Sequence, residues 1–228
     1  KANDSVTRFL LRRATAAYYN LNLYSDAAKA SKKVYALASK AKDTITMGRA
    51  LFFAGESLYG LKHNDSAFYY YAEAEKLYRT LDDPAGLGEI ILYKAYVYYN
   101  VGEYVLCERE AMKALNLLRV ENRPSDIYSC YNLIATSLDG QNNNKDAIQY
   151  YEMALEKLDD LKQEGYTEQD ITLHKASCYN NMGLVYVKMG KFNKAIQIFE
   201  DALAFDETKT NTSLYAKLLN NLAYARFK

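Results

Sequence analysis

A short-period internal repeat constrains the fold of this chain more than any other feature of its sequence. In one column of small residues, the first four members are each 40 residues apart and the fifth follows after 48. It consists of Ala27, Ala67, Cys107, Ala147 and Ala195. A second column has the same spacings in the same order, followed by one more interval of 40 residues. It consists of Thr15, Gly55, Ala95, Ala135, Gly183 and Ala223. A period of roughly 40 residues indicates a solenoid, in which each unit buries its apolar face only by stacking on its neighbours.

Composition narrows the range of functions. The 228 residues carry 29 basic and 28 acidic side chains, a formal net charge of +1. This balance argues against a general nucleic-acid binder, which needs a basic face to displace counterions. The only two prolines, Pro84 and Pro124, lie at predicted helix starts, which suits an all-helical chain. The three cysteines form no CxxC pair and are expected in the core, and no apolar run is long enough to span a membrane.

The repeating unit is clearest between residues 176 and 206. Apolar residues recur at helical spacing from Tyr179 to Met189, and Gly190 then suits a left-handed C-cap. We expect the N-cap of the next helix near Asn193, before a second apolar stripe that includes Phe199. The unit therefore predicts two antiparallel amphipathic helices joined by a tight turn.

The whole chain is expected to contain about eleven helices, in five pairs with one further first helix. Turns are predicted at Asn22, at Asn64 and Asp65, at Gly102, and from Gly140 to Asn144. The link between the fourth and fifth pairs is longer than the others, and Thr167 to Asp170 in that link is typical of a capping box. We predict one domain over residues 1–228, with units at roughly 8–47, 48–87, 88–127, 128–175 and 176–215 and a final helix at 216–228. The chain starts without Met and stops within a helical pattern, so we expect a fragment of a longer protein.

These units resemble the tetratricopeptide repeat (TPR), whose two helices carry a bulky residue before Leu-Gly, then Tyr, Ala, Phe and Ala. The fifth unit matches this order with Met182-Gly183, Tyr186, Ala195, Phe199 and Ala202. The second unit matches with Ala54-Gly55, Leu58, Ala67, Tyr71 and Ala74, and the fourth unit matches similarly. The resemblance implies a right-handed superhelical solenoid with a concave groove lined by the first helix of each pair. Because these units are longer than the common form of the repeat, they are similar to those of bacterial signalling regulators and kinesin light chains.

Asparagines follow the same repeat in the C-terminal half. One column contains Asn132, Asn180 and Asn220, and a second contains Asn181 and Asn221. The resemblance places them on groove-lining helices, and Asn181 and Asn221 match the asparagine that family members use on a bound peptide. An Asn amide donates and accepts hydrogen bonds, so it can hold a peptide backbone of any sequence. Lys188 and Lys217 could add positive charge. Alternatively, these asparagines cap or brace neighbouring helices.

A second candidate surface lies in the N-terminal half. Tyr19, Tyr59 and Tyr99 recur at the spacing of the repeat, and Arg13 and Glu56 share their surface. The groove candidates here are Arg49, Phe53, Tyr93 and Tyr96. Aromatic residues flanked by charge are typical of protein interfaces, although packing between adjacent first helices is an equal alternative. The run from Phe68 to Tyr71 must expose at least one tyrosine, which could serve a homodimer contact.

Motifs that carry chemistry are missing from the sequence. His63 and His174 have no metal-ligand spacing around them, and neither a P-loop nor a nucleophile elbow is found. We therefore expect a chain without enzymatic activity, cofactor or metal.

The function that we predict is peptide or protein binding, in the sensory or interaction region of a bacterial signalling protein. The chain's richness in Tyr, Asn and Lys is similar to that of sensory repeat regions in Bacteroidetes two-component regulators, which implies a periplasmic location. Two alternatives remain: a cytoplasmic, peptide-regulated phosphatase of response regulators, and a structural assembly or co-chaperone scaffold. The phosphatase class normally has an additional N-terminal helical bundle. Neither nucleic acid nor a membrane span is expected for this fragment.

Overall fold

Helices make up nearly the whole of the computed structural model, which describes residues 2–228 and side chains from Ser5 onward. The eleven α-helices of these residues are α1 (Ala2–Asn20), α2 (Tyr24–Ala41), α3 (Thr44–Gly60), α4 (Asn64–Tyr78), α5 (Pro84–Asn100), α6 (Tyr104–Val120), α7 (Pro124–Gly140), α8 (Asn144–Lys157), α9 (Glu168–Lys188), α10 (Phe192–Leu203) and α11 (Thr212–Phe227). Consecutive helices pack in pairs, from α1 with α2 to α9 with α10. The predicted all-α array of helix pairs with one further helix is confirmed.

The turn inside each pair repeats as regularly as the core. One residue per turn has a positive φ, and successive ones follow the same spacing as the small-residue columns. They are Asn22 (58°), Lys62 (63°), Gly102 (82°), Asn142 (62°) and Gly190 (70°). Gly and Asn adopt this left-handed conformation at low cost, which explains four of the five positions. The second turn differs from the prediction, because Lys62 takes the left-handed position and Asn64 already begins α4.

The predicted long link after α8 contains a short 3-10 segment, Leu158–Glu164. Leu158 and Leu161 are buried, so this segment is part of the core and not only a polar loop. Gly165 follows with a φ of 86°, and Thr167 and Asp170 then form the predicted capping box at the start of α9. Two details differ from the prediction. A second 3-10 segment, Asp206–Thr210, precedes α11, and α10 begins at Phe192, so Asn193 lies within the helix and not at its cap.

Packing within a pair explains the two small-residue columns. All five members of the first column are completely buried. In the second column, a Cβ built at Gly55 would lie 2.6 Å from the Cε1 atom of Tyr71, and one built at Gly183 would overlap the ring of Phe199. Tyr71 and Phe199 are both fully buried. The missing side chain on the first helix therefore makes room for an aromatic ring on the second.

The chain divides into two compact units, Lys1–Glu121 and Asn122–Lys228. The first contains α1 to α6 and the second contains α7 to α11. The single domain and the repeat boundaries inferred from the sequence stay predictions.

A buried ion network crosses three helices of the first unit. The Nζ atom of Lys94 on α5 lies 2.6 Å from a carboxylate oxygen of Glu75 on α4 and 3.1 Å from one of Glu110 on α6. Arg79 also contacts Glu75, and Lys113 contacts Glu110. Burial alone would raise the pKa of both carboxyl groups, but hydrogen bonds from these cations lower each pKa overall. Lys94 is 12% exposed as a side chain and is the only one of these cations that contacts both carboxylates.

Gly183→Ala tests the pairing of small and aromatic residues. The added methyl group would overlap the Phe199 ring, so we expect a loss of about 1–3 kcal/mol in the free energy of unfolding, measured by urea denaturation. Phe199→Leu should cost stability by itself, but Gly183→Ala should cost much less in that background. If Gly183→Ala lowered the free energy of unfolding equally in wild type and in the Phe199→Leu background, the close packing of Gly183 against Phe199 would be contradicted.

Lys94→Met tests the ion network. Two buried carboxylates would each lose a partner, so we expect a loss of about 3 kcal/mol at pH 7 in the free energy of unfolding. Because the pKa values of Glu75 and Glu110 are lowered in the folded protein, their contribution is present above the unfolded pKa near 4.3 and is lost as the pH falls through the folded values. The difference between Lys94→Met and wild type should therefore shrink from pH 6 to pH 3, whereas Lys113→Met, whose ammonium is half-exposed, should show a smaller effect. A difference that does not depend on pH would contradict the electrostatic origin.

Candidate functional site

Three of the five predicted groove asparagines form one hydrogen-bonded cluster in the second unit. The Nδ2 atom of Asn221 on α11 donates to Oδ1 of Asn180 on α9 at 2.8 Å. The Nδ2 atom of Asn180 in turn lies 3.3 Å from Oδ1 of Asn181. Asn180 is only 7% exposed, so its amide needs these internal partners. The cluster, named here the amide cluster, braces α9 against α11, which is the alternative role considered from the sequence.

Asn181 differs from the other two members because part of its amide remains available. Its side chain is half-buried, and among the described residues its Nδ2 atom has no hydrogen-bond acceptor. The remaining two predicted asparagines lie outside the cluster. Asn132 on α7 is half-buried and Asn220 on α11 is exposed, and neither side chain is hydrogen-bonded to the amide cluster in the described part of the chain.

An open cleft of about 510 Å³ lies beside the amide cluster, between the N-terminal halves of α9 and α11. It is lined by Asp170, Leu173, His174, Ser177, Asn211, Ser213, Leu214 and Lys217. Residues four apart on a helix lie on the same face, so Ser177 precedes Asn181 by one turn and Lys217 precedes Asn221 by one turn. The amide cluster therefore lies about one helical turn beyond the end of the cleft.

The cleft carries both charged and neutral polar groups. Hydrogen bonds within the capping box lower the pKa of Asp170, which keeps its carboxylate ionised at neutral pH. Burial lowers the pKa of His174 despite the nearby Asp170 charge, so its imidazole is neutral there. The His174 ring packs against Tyr128 and Tyr166, with centroids 5.2 and 5.9 Å away. Lys217 is exposed and places a cation at the wall of the cleft.

The sequence anticipated the amide residues and Lys217 but not the cleft itself. Asp170 was recognised only as a capping residue, and His174 only as an isolated histidine. Lys188, the other lysine considered from the sequence, is engaged elsewhere, because its Nζ atom contacts both carboxylate oxygens of Asp139 at 2.7 Å.

The candidate residues of the first unit form a partly buried aromatic cluster. The ring centroid of Tyr93 lies 5.0 Å from that of Phe52 and 6.1 Å from that of Tyr96. Phe53 packs edge-on against Phe52 at 5.9 Å. Phe53, Tyr93 and Tyr96 are all half-buried, so they contribute both to helix packing and to the surface. Arg49 is exposed and lies near the hydroxyl of Tyr78 on α4, whose pKa it lowers against the larger effect of burial.

Glu56 is a buried acid beside this aromatic cluster. It is 6% exposed, and the nearby hydroxyl groups of Tyr19 on α1 and Tyr93 on α5 partly offset the effect of burial on its pKa. Burial raises its pKa to about 7, with a contribution from the nearby Glu89 charge. The hydroxyl of Tyr71, which is close enough to feel the Glu56 charge, is buried and has no hydrogen-bond partner among the described residues.

The exposed tyrosine predicted in the run from Phe68 to Tyr71 is Tyr69, which is 59% exposed. Its ring contacts that of Tyr70 at 5.3 Å. Its role in a homodimer stays a prediction. In the described chain, no helix is both long enough and apolar enough to span a membrane.

Sequence comparison identifies one repeat and a bacterial relative. The tetratricopeptide repeat family model matches residues 176–209, within the unit that is clearest in the sequence. Response regulator aspartate phosphatase E of Bacillus subtilis (strain 168) is 26% identical over 184 residues, which cover 78% of this chain and 46% of the relative. The chain thus spans about half the length of the curated relatives it matches.

Solved structures share the fold at lower sequence identity. Aspartyl phosphate phosphatase F from Bacillus subtilis superimposes with a TM-score of 0.79 at 17% identity, covering 98% of this chain and 56% of that one. A Rap protein complexed with competence and sporulation factor has a TM-score of 0.68 at 11% identity, covering 98% of this chain and 64% of that one. The matched repeat and these helical-repeat neighbours confirm the resemblance of this chain to tetratricopeptide-repeat proteins.

Proposed function

We propose that this chain is a peptide-binding module of a bacterial regulatory protein, and that the cleft and the amide cluster of the second unit form its binding site. The observation that carries the proposal is the half-buried Asn181 amide, whose donor has no partner among the described residues and which lies one helical turn from Ser177 in the wall of an open cleft. An amide donor without a partner can bind a backbone carbonyl of an extended peptide. The relative that forms a complex with competence and sporulation factor has the same fold, which supports this reading.

The amide cluster would present Asn181 in a fixed orientation. Asn221 donates a hydrogen bond to Asn180, and Asn180 contacts Asn181. The Asn181 side chain is therefore already restrained before a ligand binds. A preorganised polar group loses less conformational entropy on binding than a freely rotating one. The bracing role and the binding role are therefore compatible within one cluster.

The walls of the cleft would select the ligand. The ammonium of Lys217 suits an acidic side chain or a terminal carboxylate, whereas Asp170 at the far helix start suits a donor. Leu173 and Leu214 offer apolar contacts between these charges. This mixture favours a short peptide over a purely apolar ligand.

We propose that the longer protein acts as a peptide-responsive regulator in bacterial signal transduction. This corresponds to the alternative phosphatase-type reading of the sequence, which the relative named response regulator aspartate phosphatase E favours over a purely non-enzymatic module. A regulator that acts on response regulators would work in the cytoplasm, so we propose a cytoplasmic location. The comparisons offer no support for a periplasmic sensor.

Asn181→Ala tests the binding site. Peptides captured from a random library by the wild-type chain should bind at least tenfold more weakly to Asn181→Ala, because a buried peptide carbonyl would lose its donor. Asn193→Ala removes an exposed amide from α10 and is the matched control, with no expected change. Thermal melting checks that both variants remain folded. Equal affinities for wild type and Asn181→Ala would contradict the proposed site.

A second experiment tests the signalling role. The natural full-length protein is incubated with response regulators phosphorylated on aspartate, and the loss of the acyl phosphate is followed with and without a captured peptide. We expect the peptide to change the rate with the natural protein and Lys217→Ala to weaken that effect. If every acyl phosphate is hydrolysed at its spontaneous rate in the presence of the natural protein, and that protein binds no response regulator, the phosphatase-type interpretation is wrong.

A further inference from the structure

Two opposite charges line the cleft of the second unit without pairing with each other. Asp170 lies at the start of α9 and Lys217 lies on α11, and both side chains are exposed. Neither forms an ion pair with any residue that the structure describes, whereas the neighbouring Glu168 is paired with Lys162. A cleft that holds two separate charges without partners is complementary to a ligand with the opposite charge pattern.

The Asp170 carboxylate keeps one oxygen atom available for a ligand. Its Oδ2 atom accepts both hydrogen bonds of the capping box, from the backbone N–H of Thr167 at 3.0 Å and from the Thr167 hydroxyl at 2.6 Å. Its Oδ1 atom has no donor in the described part of the chain. His174 lies one turn further along the same wall, and its ring packs against the partly exposed ring of Tyr166. A carboxylate beside aromatic rings suits an ammonium or guanidinium group.

The two helices that carry these charges lie in a defined register. The hydrogen bond from Asn221 to Asn180 joins residues that are 41 positions apart. Just before α11, the hydroxyl of Thr210 accepts a hydrogen bond from the Nε2 atom of Gln169 at 3.3 Å, and these residues are also 41 positions apart. The two helices therefore run in the same direction, and each residue of α11 lies beside the residue of α9 that precedes it by about 41 positions.

This register sets the separation of the two charges. Lys217 is level with a position about six residues beyond Asp170, which corresponds to about 9 Å at the rise of an α-helix. An extended peptide advances about 3.3 Å per residue, so about three residues span this separation. Leu173 and Leu214, which line the same cleft, are level with each other between the two charges and can contact apolar side chains of the ligand.

We propose that the cleft binds a dipolar peptide, with a cationic group at Asp170 and a carboxylate at Lys217. These groups are either the termini of a short free peptide or side chains of a longer one, since both sources present the same charges. The inference rests on the proposed peptide-binding function and adds the charge pattern, the direction and the approximate span of the ligand. The carboxylate end lies toward the amide cluster, because Lys217 precedes Asn221 by one turn.

The test uses trialanine with free termini, its N-acetyl form, which lacks the ammonium group, and its C-terminal amide, which lacks the carboxylate. Binding to the full chain is followed by ¹⁵N NMR at the backbone amides of Ser177 and Lys217. Because both protein charges are exposed, we expect trialanine to bind about twofold to fivefold more tightly than either blocked form at about 20 mM NaCl, and this advantage to shrink at about 500 mM. Equal affinities of the three probes would overturn the proposal.

Two variants assign each end of the probe to its partner. In Lys217→Met, trialanine and its C-terminal amide should bind equally, while the preference over the N-acetyl form remains. In Asp170→Asn, trialanine and its N-acetyl form should bind equally. Thr167→Ala also breaks the capping box but keeps the Asp170 carboxylate, so it should keep the preference for the free amine. Lys145→Met removes an exposed cation from α8 and should change nothing. A preference that persists in the variant expected to remove it would overturn the proposed polarity.

A further probe identifies the source of the charges. A peptide with both termini blocked, and with an Arg and a Glu separated by one residue, carries the two charges on side chains. If this peptide binds more tightly than trialanine, the natural groups are side chains, and if trialanine binds more tightly, they are termini. Both results support the dipolar cleft, whereas binding of neither probe would overturn it.

Library peptides separate this inference from the proposed function. Captured peptides that depend on Asn181 but keep their affinity when their charged groups are neutralised would overturn the dipolar cleft and leave the proposed binding site intact. The expected preferences for trialanine, without any captured peptide that depends on Asn181, would support the dipolar cleft and contradict the proposed function.

Discussion

The fold depends on close approach between the two helices of each pair. A glycine at position 55 or 183 leaves the space that the ring of Tyr71 or Phe199 fills, and alanines of the first column let the helices meet along the rest of the contact. Protein interiors tolerate few voids and little overlap, so ring and gap must be matched in size. Where the aromatic is missing, as with Ala111 on α6, a completely buried alanine, Ala95, stands in place of the glycine on α5. This pairing fixes the separation of the helices and thus the surfaces that they present.

The sequence predicted the helix pairs because their determinants are local and repeated. Apolar spacing, left-handed turn residues and the Thr167 capping box act within a few residues of one another. The second turn was misplaced because Lys62, which has no special preference for positive φ, takes the position that Asn or Gly occupies in the other pairs. The two 3-10 segments were missed because their stability comes from burial of Leu161 and Thr208 in the fold, which local sequence does not encode.

The candidate site was only half predictable for a different reason. Column spacing placed asparagines on corresponding helix faces, but it could not distinguish a side chain that faces a neighbour from one that faces solvent. Asn180 is buried and engaged, Asn220 is exposed, and Asn181 lies between these extremes, although all three belong to the same two columns. The cleft depends on the relative placement of α9 and α11, and the second 3-10 segment helps to set that placement. The spacing of residues in the sequence does not predict how α9 and α11 are placed relative to each other.

Buried polar groups are accommodated in this fold in two opposite ways. In the Lys94 network and the amide cluster, the buried polar groups have partners on neighbouring helices. These contacts fix the positions of the helices relative to one another. Glu56 has no cation within ion-pair distance among the described residues, and burial raises its pKa, so the folded state favours the neutral acid. The free-energy contribution of that preference is fully present below the unfolded pKa near 4.3 and is lost as the pH rises through about 7. The charged groups of the Lys94 network therefore stabilise the fold most at neutral pH, whereas Glu56 stabilises it most at acidic pH, because the buried site accommodates its neutral form.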